Sequence, residues 1–598
     1  MNIPLRQYYQ LLINYLRPQR ARALSLALLL LASIALQLAN PQFLRRFIDT
    51  ATTGGDPRTL LAIAAVYMVF ALGNQFLSAF ARYAGEKVGW TATNLLRRDL
   101  ATHCLRLDMG FQKTRTPGEM IERIDGDCST LSNFFSQFVV GLVGNALLLI
   151  GVLVLLFGID VRVGLGISAF AIGALVLMFR LRSEASPHWV AVRQVSAEFY
   201  GFLGERLSGT EDIRANGAAA YVMRRFHEIV GRWLGLQRKA SLWGYAMWQT
   251  NIIVFALGTA VAFALSAYLF SRGEITIGTA YLIFTYTELI RRPLDQIRTQ
   301  MQDLQRAAAG ISRIQGLLDT KPKIEDGPGG GTTAESGVAQ AGGGGTIFPA
   351  GPLSVDFRQV SFRYEAEEDP VLADLDLRLE PGRVLGLLGR TGSGKTTLAR
   401  LLFRLYDPTG GEIRLGGRPV RQARLNDLRR RVGMVTQDVQ LFHASVRDNL
   451  TFFNPSIPDE RVLEVLDDLG LRPWLDALPA GLASELASGS GGLSAGEAQL
   501  VAFARLFLGN PGLVILDEAS SRLDPATERL LEAAVTKALT GRTGIIIAHR
   551  LGTVLRADEV LILEDGRVLE HGDRKALAGD PGSRFHRLLQ TGLEDLLA

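Results

Sequence analysis

The sequence predicts a membrane α-helical domain with six long transmembrane helices, followed by a soluble α/β domain that contains a P-loop. Two observations carry this prediction. Apolar residues make up 48% of the 598 residues, and most of their excess precedes residue 300. A glycine-rich run with the pattern G-x-x-x-x-G-K-[ST] lies at Gly389–Thr396, in the less apolar part. Because a chain of this length exceeds one hydrophobic core, we expect the two parts to be separate domains.

The first 20 residues have the pattern of an amphipathic helix. Leu5, Tyr8 and Leu12 recur at helical spacing beside Arg6. A signal peptide is excluded, because a short apolar core and a small-residue cleavage site are missing. We therefore expect residues 1–20 to form an interfacial elbow helix, which lies along the membrane surface.

Six apolar stretches have about the 20 residues that a helix needs to cross a bilayer. They are Ala23–Leu44, Leu60–Phe80, Phe138–Ile159, Val163–Phe179, Ile252–Phe270 and Ile275–Ile290. Arg17, Arg20 and Arg22 precede the first stretch and favour a cytoplasmic N-terminus. The sequence thus predicts a transmembrane domain over residues 21–320.

Two inner connections, 82–137 and 180–241, are polar but keep helical spacing. A helix from Arg58 to about Leu107 would be roughly 75 Å long, far more than a bilayer needs. The helices are therefore expected to extend well into the cytoplasm. Each connection is interrupted once, at Arg115–Gly118 and near Leu207–Thr210. Short transverse helices are expected at these cytoplasmic tips.

Several polar residues lie at membrane depth, where polar groups usually face protein or water. The candidates for a substrate cavity are Asn74, Gln75, Asn145, Trp248, Gln249, Asn251, Tyr286 and Glu288. For any single one of them, a hydrogen bond between packed helices is the favoured role.

A glycine-rich linker over 321–352 separates the membrane domain from the soluble domain at 353–598. The P-loop of that domain follows an apolar strand, Val384–Leu388, and opens a helix. Its predicted nucleotide-binding residues are Gly389, Arg390, Thr391, Gly392, Ser393, Gly394, Lys395, Thr396 and Thr397. Backbone N–H groups of such a loop bind phosphate, Lys395 reaches the β- and γ-phosphates, and the Thr396 hydroxyl binds Mg²⁺. The cofactors predicted are therefore ATP and Mg²⁺.

Two carboxylates, Asp517 and Glu518, end a second apolar strand that begins at Leu513. We expect this strand to lie beside the P-loop strand. Asp517 would then hold Mg²⁺ and Glu518 would polarise the attacking water. A pair of helix N-cap residues is the alternative interpretation.

Between these motifs stands Leu493-Ser494-Ala495-Gly496-Glu497-Ala498-Gln499. It resembles the signature motif LSGGQ of the ATP-binding-cassette (ABC) proteins, and other motifs of that family occur in the family's order. The resemblance implies that Tyr364 stacks on adenine, that Gln437 of the Q-loop contacts Mg²⁺ and that Asp524 belongs to the D-loop. It also implies that His549 contacts the γ-phosphate, and that Ser494 and Gly496 face the phosphates of a partner's ATP.

The membrane part resembles ABC exporters of the type IV fold. Phe111–Glu119, with Arg123 and Asp127, is similar to their first coupling region, and Glu205, Gly209 and Ile213 to the second. The resemblance implies a half-transporter that exports or flips a hydrophobic or amphipathic substrate (a drug, lipid or peptide) across the cytoplasmic (inner) membrane. Its ATPase domain would be cytoplasmic, and the energy would come from ATP hydrolysis. An ATP-gated channel or a regulatory subunit with slow turnover is the alternative.

A half-transporter needs a second half, and the sequence favours a different chain as that partner. Ala495 replaces the first glycine of the signature and Glu497 replaces its glutamine. In a homodimer both changes would weaken both sites, since a signature serves the partner's P-loop. A homodimer that tolerates both changes is the alternative. The net charge of +5 is modest, and its arginines flank apolar stretches, so nucleic acid is not expected as a partner.

Overall fold

The computed structural model describes residues 13–326, 348–365, 367–436, 439–487, 493–517, 525–548 and 551–591. The chain divides into two compact units. One comprises Met1–Leu105 and Pro117–Thr320, and the other comprises Arg106–Thr116 and Lys321–Ala598. We call them the membrane unit and the ATPase unit.

Six long helices build the membrane unit. They are α1 (Arg20–Thr52), α2 (Pro57–Arg106), α3 (Gly144–Ile159), α4 (Val161–Ser208), α5 (Ala219–Ser271) and α6 (Ile277–Leu318). Within the described residues, five helical stretches are long and apolar enough to cross a membrane: Ile13–Thr52, Pro57–Arg106, Gly141–Ile159, Val161–Ser208 and Ala219–Ser271. The sixth predicted span forms the first part of α6, which is helical but more polar.

The helices exceed the bilayer, as predicted. Helix α2 has 50 residues and is therefore about 75 Å long. Helix α4 begins where the Asp160 side chain accepts a hydrogen bond from Arg162 N, and α6 begins where Thr276 accepts one from Thr279 N. These side chains satisfy backbone N–H groups that a helix start leaves without a partner.

Short helices occur at both predicted interruptions. Met109–Lys113 and Pro117–Ile121 follow α2, and Thr210–Ala215 follows α4 after Gly209. From Pro117 the chain stays helical into α3, through a π-helical turn at Glu122–Asp127, the helix Cys128–Gln137 and a second π-helical turn at Phe138–Val143. The helical core that joins α3, α4 and α6 is apolar and includes Val152, Ile167 and Ile283, each fully buried.

Twelve strands lie in the described part of the ATPase unit. They are β1 (Val355–Phe362), β2 (Leu372–Leu379), β3 (Val384–Gly389), β4 (Gly410–Leu415), β5 (Arg418–Pro419), β6 (Val432–Val435), β7 (Ala444–Ser445), β8 (Glu485–Leu486), β9 (Leu513–Asp517), β10 (Thr543–Ile547), β11 (Glu559–Glu564) and β12 (Arg567–Asp573). The helices important for the site are α7 (Lys395–Leu402) and α8 (Ala495–Gly509). The others are Leu425–Arg431, Val446–Thr451, Asp459–Asp468, Arg472–Asp476, Pro525–Leu539, Leu551–Val554, Arg574–Gly579 and Arg584–Thr591.

The main sheet has the order β12-β11-β3-β10-β9-β6, and a second sheet has the order β2-β1-β4-β5. Every residue of β3 is buried, as is typical of a parallel strand covered on both faces. Its alternate residues enter different cores: Leu385 and Leu387 pack with the second sheet, and Leu388 packs with α8.

The prediction that the strand ending in Asp517 lies directly beside the P-loop strand was wrong. Strand β10 lies between β3 and β9, with Ile547 paired to Leu387 on one side and to Asp517 on the other. All three strands are parallel, so their C-terminal ends still lie along one edge of the sheet. The P-loop and Asp517 are therefore separated by one strand rather than adjacent.

Candidate nucleotide site and membrane cavity

The P-loop joins the end of β3 to the start of α7, and its glycines are required by the backbone. Gly389 has φ 150° and Gly394 has φ 102°, a region that residues with a Cβ rarely adopt. A Cβ on Gly394 would also lie 2.6 Å from Leu372 Cδ2. A Cβ on Gly389 would overlap the backbone oxygen of Leu563. The loop can thus fold closely around the start of α7 only with glycine at both positions.

Two polar side chains of the loop fit a phosphate. Lys395 is buried, and its Nζ donates to the backbone oxygens of Gly389 (2.6 Å) and Arg390 (2.8 Å). The Ser393 hydroxyl is also buried, and it has no hydrogen-bond partner among the described residues. A buried hydroxyl without a partner is costly unless a ligand supplies one. Ser393, Lys395 and the N-terminus of α7 together match the donors that bind the phosphates of ATP.

Tyr364 lies against α7, two residues after β1. Its hydroxyl is 2.9 Å from Thr397 Oγ1 and accepts a hydrogen bond from Arg400 Nη1 at 3.1 Å. Its ring packs edge-on against Tyr406, with ring centroids 5.1 Å apart. The structure therefore brings the predicted adenine-stacking ring to the helix that the P-loop opens.

One further neighbour of Tyr364 was not predicted from the sequence. Lys113 Nζ lies 4.6 Å from the centroid of the Tyr364 ring, within the range of a cation–π contact. Lys113 ends the short helix that follows α2, and this segment belongs to the ATPase unit. Asp108, which caps the same helix, accepts a hydrogen bond from Lys323 N at 3.1 Å. A contact between residues so far apart in sequence leaves no local pattern.

Asp517 is the last residue of β9 and is half-buried. The remaining predicted residues of the site, namely Glu518, His549, Gln437 and Asp524, lie outside the described residues. Thr396, the second residue of α7, is also half-buried. Of the predicted Mg²⁺ ligands, the structure thus describes Thr396 and Asp517.

The signature residues begin α8. The Ser494 hydroxyl accepts a hydrogen bond from Glu497 N (3.2 Å), and Glu497 Oε2 accepts one from Ser494 N (2.8 Å). This reciprocal capping box fixes the helix start. Ser494 and Ala495 are exposed and Gly496 is buried. The Glu497 carboxylate is thereby held one hydrogen bond away from the residue expected to meet a partner's γ-phosphate.

Arg505 connects α8 to the segment that follows β6. Its Nε donates to the backbone oxygen of Asn449 (2.8 Å) and its Nη1 to that of Gln440 (3.1 Å). The guanidinium also lies 4.5 Å from the centroid of the Phe452 ring. Burial lowers the pKa of Arg505 to about 10, so it remains charged at neutral pH. This link between the signature helix and the segment after the Q-loop joins residues far apart in sequence and was not predicted.

The membrane unit contains a polar cavity of about 730 Å³ between α1, α2, α3 and α6. Its lining residues are Leu30, Ser33, Ile34, Gln37, Asn74, Gln75, Ser78, Ala79, Ala81, Arg82, Glu86, Gly141, Gly144, Asn145, Leu148, Arg292 and Gln296. The prediction that Asn74, Gln75 and Asn145 line a cavity is confirmed.

The five other predicted residues, Trp248, Gln249, Asn251, Tyr286 and Glu288, do not line this cavity. Tyr286 is fully buried, and its hydroxyl donates to the backbone oxygen of Leu38 and accepts from Gln42 Nε2. Asn251 donates to Asp295 Oδ1. In the same way, Glu288 accepts from Thr259 Oγ1. Three of these five residues therefore form hydrogen bonds between helices, which is the other role considered for them. The rotation of each helix about its axis decides which of its polar side chains face the cavity.

The chain joins six long helices to a P-loop domain with this strand order. This combination places it in the class of membrane transporters with an attached ATPase. Residues 24–294 match the family described as ABC transporter transmembrane region, and residues 372–521 match the family described as ABC transporter. The chain therefore belongs to the ABC transporters, and it is an ATP-binding, ATP-hydrolysing multi-pass membrane protein.

Relatives and solved structures agree with this assignment. The chain is 29% identical over 581 residues to the uncharacterised ABC transporter ATP-binding protein YknV of Bacillus subtilis, covering 96% of this chain and 92% of the relative. It is 27% identical over 598 residues to an ATP-dependent lipid A-core flippase of Idiomarina loihiensis, covering 98% of each. The structure of a bacterial Atm1-family ABC exporter with ATP bound has the same fold, with a TM-score of 0.75 and 23% identity over 96% of this chain and 98% of that one. The expected exporter fold is thus confirmed.

Proposed function

We propose that this chain uses ATP hydrolysis to export or flip a hydrophobic or amphipathic substrate across the cytoplasmic membrane by alternating access. One observation carries the proposal: a single chain combines a phosphate-binding loop with a polar cavity at membrane depth. Polar side chains in a membrane domain are costly and mark substrate pathways. The similarity to a lipid A-core flippase supports an amphipathic substrate.

The proposal includes an arrangement in the membrane. We place the elbow helix at 1–20, the transmembrane domain at 21–320, the linker at 321–352 and the ATPase domain at 353–598, of which residues 1–12 and 327–347 lie outside the described residues. Arg17, Arg20 and Arg22 before α1 support a cytoplasmic N-terminus in the inner membrane. An even number of spans then brings the ATPase domain to the same side.

At the nucleotide, each residue has a proposed role. Ser393, Lys395 and the backbone N–H groups of the P-loop bind the phosphates, and Tyr364 stacks on adenine. Thr396, Asp517 and Gln437 hold Mg²⁺, which supplies positive charge to the phosphate oxygens when it is bound. Beyond the described residues, Glu518 accepts the proton of the attacking water, His549 contacts the γ-phosphate and Asp524 forms the D-loop.

A second half-transporter is required in this proposal, and we favour a different chain. Ser494 and Gly496 would face the P-loop of the partner, as the resemblance to ABC proteins implies. The capping box holds the Glu497 carboxylate beside Ser494, where a phosphate would be repelled. A partner with a glutamine at this position would complete a better site with this chain's own P-loop.

The test is ATP-dependent movement of amphiphiles in vesicles that contain the purified transporter. Fluorescent phospholipids should change leaflets only with hydrolysable ATP, and Lys395→Ala should abolish both hydrolysis and movement. Arg378→Ala changes an exposed side chain of β2 and should leave both intact. ATP hydrolysis without movement of any amphiphile would instead favour a regulatory subunit, and ATP-dependent ion conductance would favour a channel.

A further inference from the structure

We propose that the membrane cavity selects amphipathic anions, and that Arg82 and Arg292 bind their phosphate or carboxylate head group. This inference rests on the proposed export function and assigns the substrate class to its cavity. It depends on the depth of the polar residues, on their hydrogen bonds and on the pairing of the lining charges.

The cavity lining is uncharged at one end and charged at the other. Helix α2 begins on the outer side at Pro57, so Asn74 lies about 26 Å and Arg82 about 38 Å along it. The hydrocarbon core is about 30 Å thick. Asn74 is thus within the membrane, whereas Arg82 and Glu86 are near its cytoplasmic boundary. On α6, Arg292 and Gln296 likewise follow the more apolar outer part of the helix.

Hydrogen bonds orient the amide end of the cavity. Gln37 Nε2 donates to Ser33 Oγ (3.1 Å), and Ser33 Oγ donates to Asn74 Oδ1 (2.9 Å). The Asn74 carbonyl oxygen is therefore used, and its NH₂ group keeps both hydrogens without a partner among the described residues. Asn145 differs, because its NH₂ group donates to the backbone oxygen of Gly141, which leaves its carbonyl oxygen to the cavity.

The charged end contains two guanidinium groups against one carboxylate. Neither Arg82, Arg292 nor Glu86 forms an ion pair with a described residue, although Glu86 lies one helical turn from Arg82. The neighbouring Arg291 stacks on the Phe255 ring at 5.3 Å, so Arg292 alone of this pair lines the cavity. Arg82 and Arg292 are both exposed, and phosphate or carboxylate is the partner that the planar donors of a guanidinium group fit best.

Size and apolar residues complete the argument. A volume of about 730 Å³ lies within the range of sites for compact ligands and head groups. Leu30, Ile34 and Leu148 line the same cavity and can contact a hydrocarbon segment. A cationic amphiphile would meet two guanidinium groups, and a neutral one would leave both unpaired.

The experiment uses the complete transporter in phosphatidylcholine vesicles and measures ATPase stimulation by three amphiphiles with the same alkyl chain. These are dodecyl phosphate, dodecyl maltoside and dodecyltrimethylammonium. Dodecyl phosphate should stimulate at the lowest concentration. Arg82→Gln and Arg292→Gln should each raise its half-maximal concentration at least about tenfold, the usual effect of one lost charge-assisted hydrogen bond. Glu86→Gln should lower it.

Arg291→Gln is the matched control and should leave the half-maximal concentration unchanged. Arg82→Lys and Arg292→Lys keep the positive charge and test whether the glutamine variants are merely misfolded. If the lysine variants respond to dodecyl phosphate as the wild type does, the weaker response of the glutamine variants is due to the lost charge. Vesicles containing phosphatidylglycerol distinguish the two sources of the anion. Stimulation by this lipid alone identifies a membrane lipid, and stimulation by dodecyl phosphate without it identifies a free amphiphile; both support the inference.

Equal or better stimulation by the cationic amphiphile, or unchanged responses of both glutamine variants, would overturn the selectivity while leaving export intact. Failure of every amphiphile to stimulate hydrolysis or to be moved would instead overturn the proposed function itself.

Discussion

Replacing Glu497 by glutamine should strengthen one nucleotide site of the transporter. The change keeps an oxygen that can accept the hydrogen bond from Ser494 N, now 2.8 Å long, but it removes a negative charge. A phosphate bound by the Ser494 hydroxyl would lie two hydrogen bonds from this carboxylate, or about 6 Å. At that distance two unit charges repel each other by about 0.7 kcal/mol in water and about 2.8 kcal/mol at an effective dielectric constant near 20.

The same substitution should also cost a small amount of helix stability. A carboxylate in the first turn of a helix stabilises it by about 0.3–1 kcal/mol through the helix dipole, and glutamine forfeits that amount. Glu497→Gln should therefore lower the KM for ATP about threefold at the dielectric constant of water and up to about a hundredfold at a dielectric constant near 20, and it should reduce stability by less than about 1 kcal/mol. ATPase activity against ATP concentration measures the first effect, and thermal unfolding measures the second.

Salt and a control variant make the test specific. The decrease in KM caused by Glu497→Gln should be smaller at high than at low ionic strength, because salt screens exposed charges. Glu460→Gln removes an exposed carboxylate from the first turn of the helix Asp459–Asp468, away from the signature, and should not change KM. A KM that is unaltered by Glu497→Gln, or altered equally at all salt concentrations, would refute the electrostatic reasoning. In a heterodimer only one of two nucleotide sites should respond, which two-phase kinetics would show.

Three other changes test separate parts of the molecule. Glu518→Gln should reduce turnover at least about a hundredfold, the usual effect of a positioned base, while ATP binding persists; wild-type turnover would contradict its role. Lys113→Met should raise the KM for ATP about two- to fivefold, because a cation–π contact with Tyr364 contributes about 0.5–1 kcal/mol; an unchanged KM would show that the contact does not support adenine binding. Gly278→Ala should destabilise the membrane unit by about 1–3 kcal/mol, since its Cβ would overlap the backbone of α1. Gly158→Ala, whose Cβ meets nothing within 4 Å, is its control in thermal unfolding, and equal stability of both variants would contradict the packing argument.

Sequence periodicity was sufficient for elements whose signal is local. The flanks of the P-loop were predicted because an apolar run, glycines and a helical run follow one another, and the spans were predicted because a bilayer requires long apolar helices. Strand order was not predictable in this way. Strand β10 is inserted between β3 and β9 by a crossover connection, and no periodicity within any one strand records its neighbours.

The cavity shows the same limit at the level of side chains. Asn74 and Tyr286 are both polar residues at membrane depth, yet the first lines the cavity and the second is fully buried between helices. Their difference depends on how each helix is rotated about its axis, and that rotation is set by apolar packing on the other faces. Arg82 and Arg292 were not predicted as cavity residues, because no local pattern separates an arginine that lines a cavity from one that faces solvent.

Helix α2 connects the membrane cavity to the chain segment that contacts Tyr364. Helix α2 lines the cavity at Asn74 and Arg82 and continues to Arg106, about 36 Å beyond Arg82. The chain then enters directly the segment Arg106–Thr116, which is part of the ATPase unit and places Lys113 over the ring of Tyr364. An uninterrupted α-helix transmits a rotation at one end to the other, because its hydrogen-bonded turns resist bending. Helix α2 is therefore the direct covalent connection between the residues that line the cavity and the segment that contains Lys113.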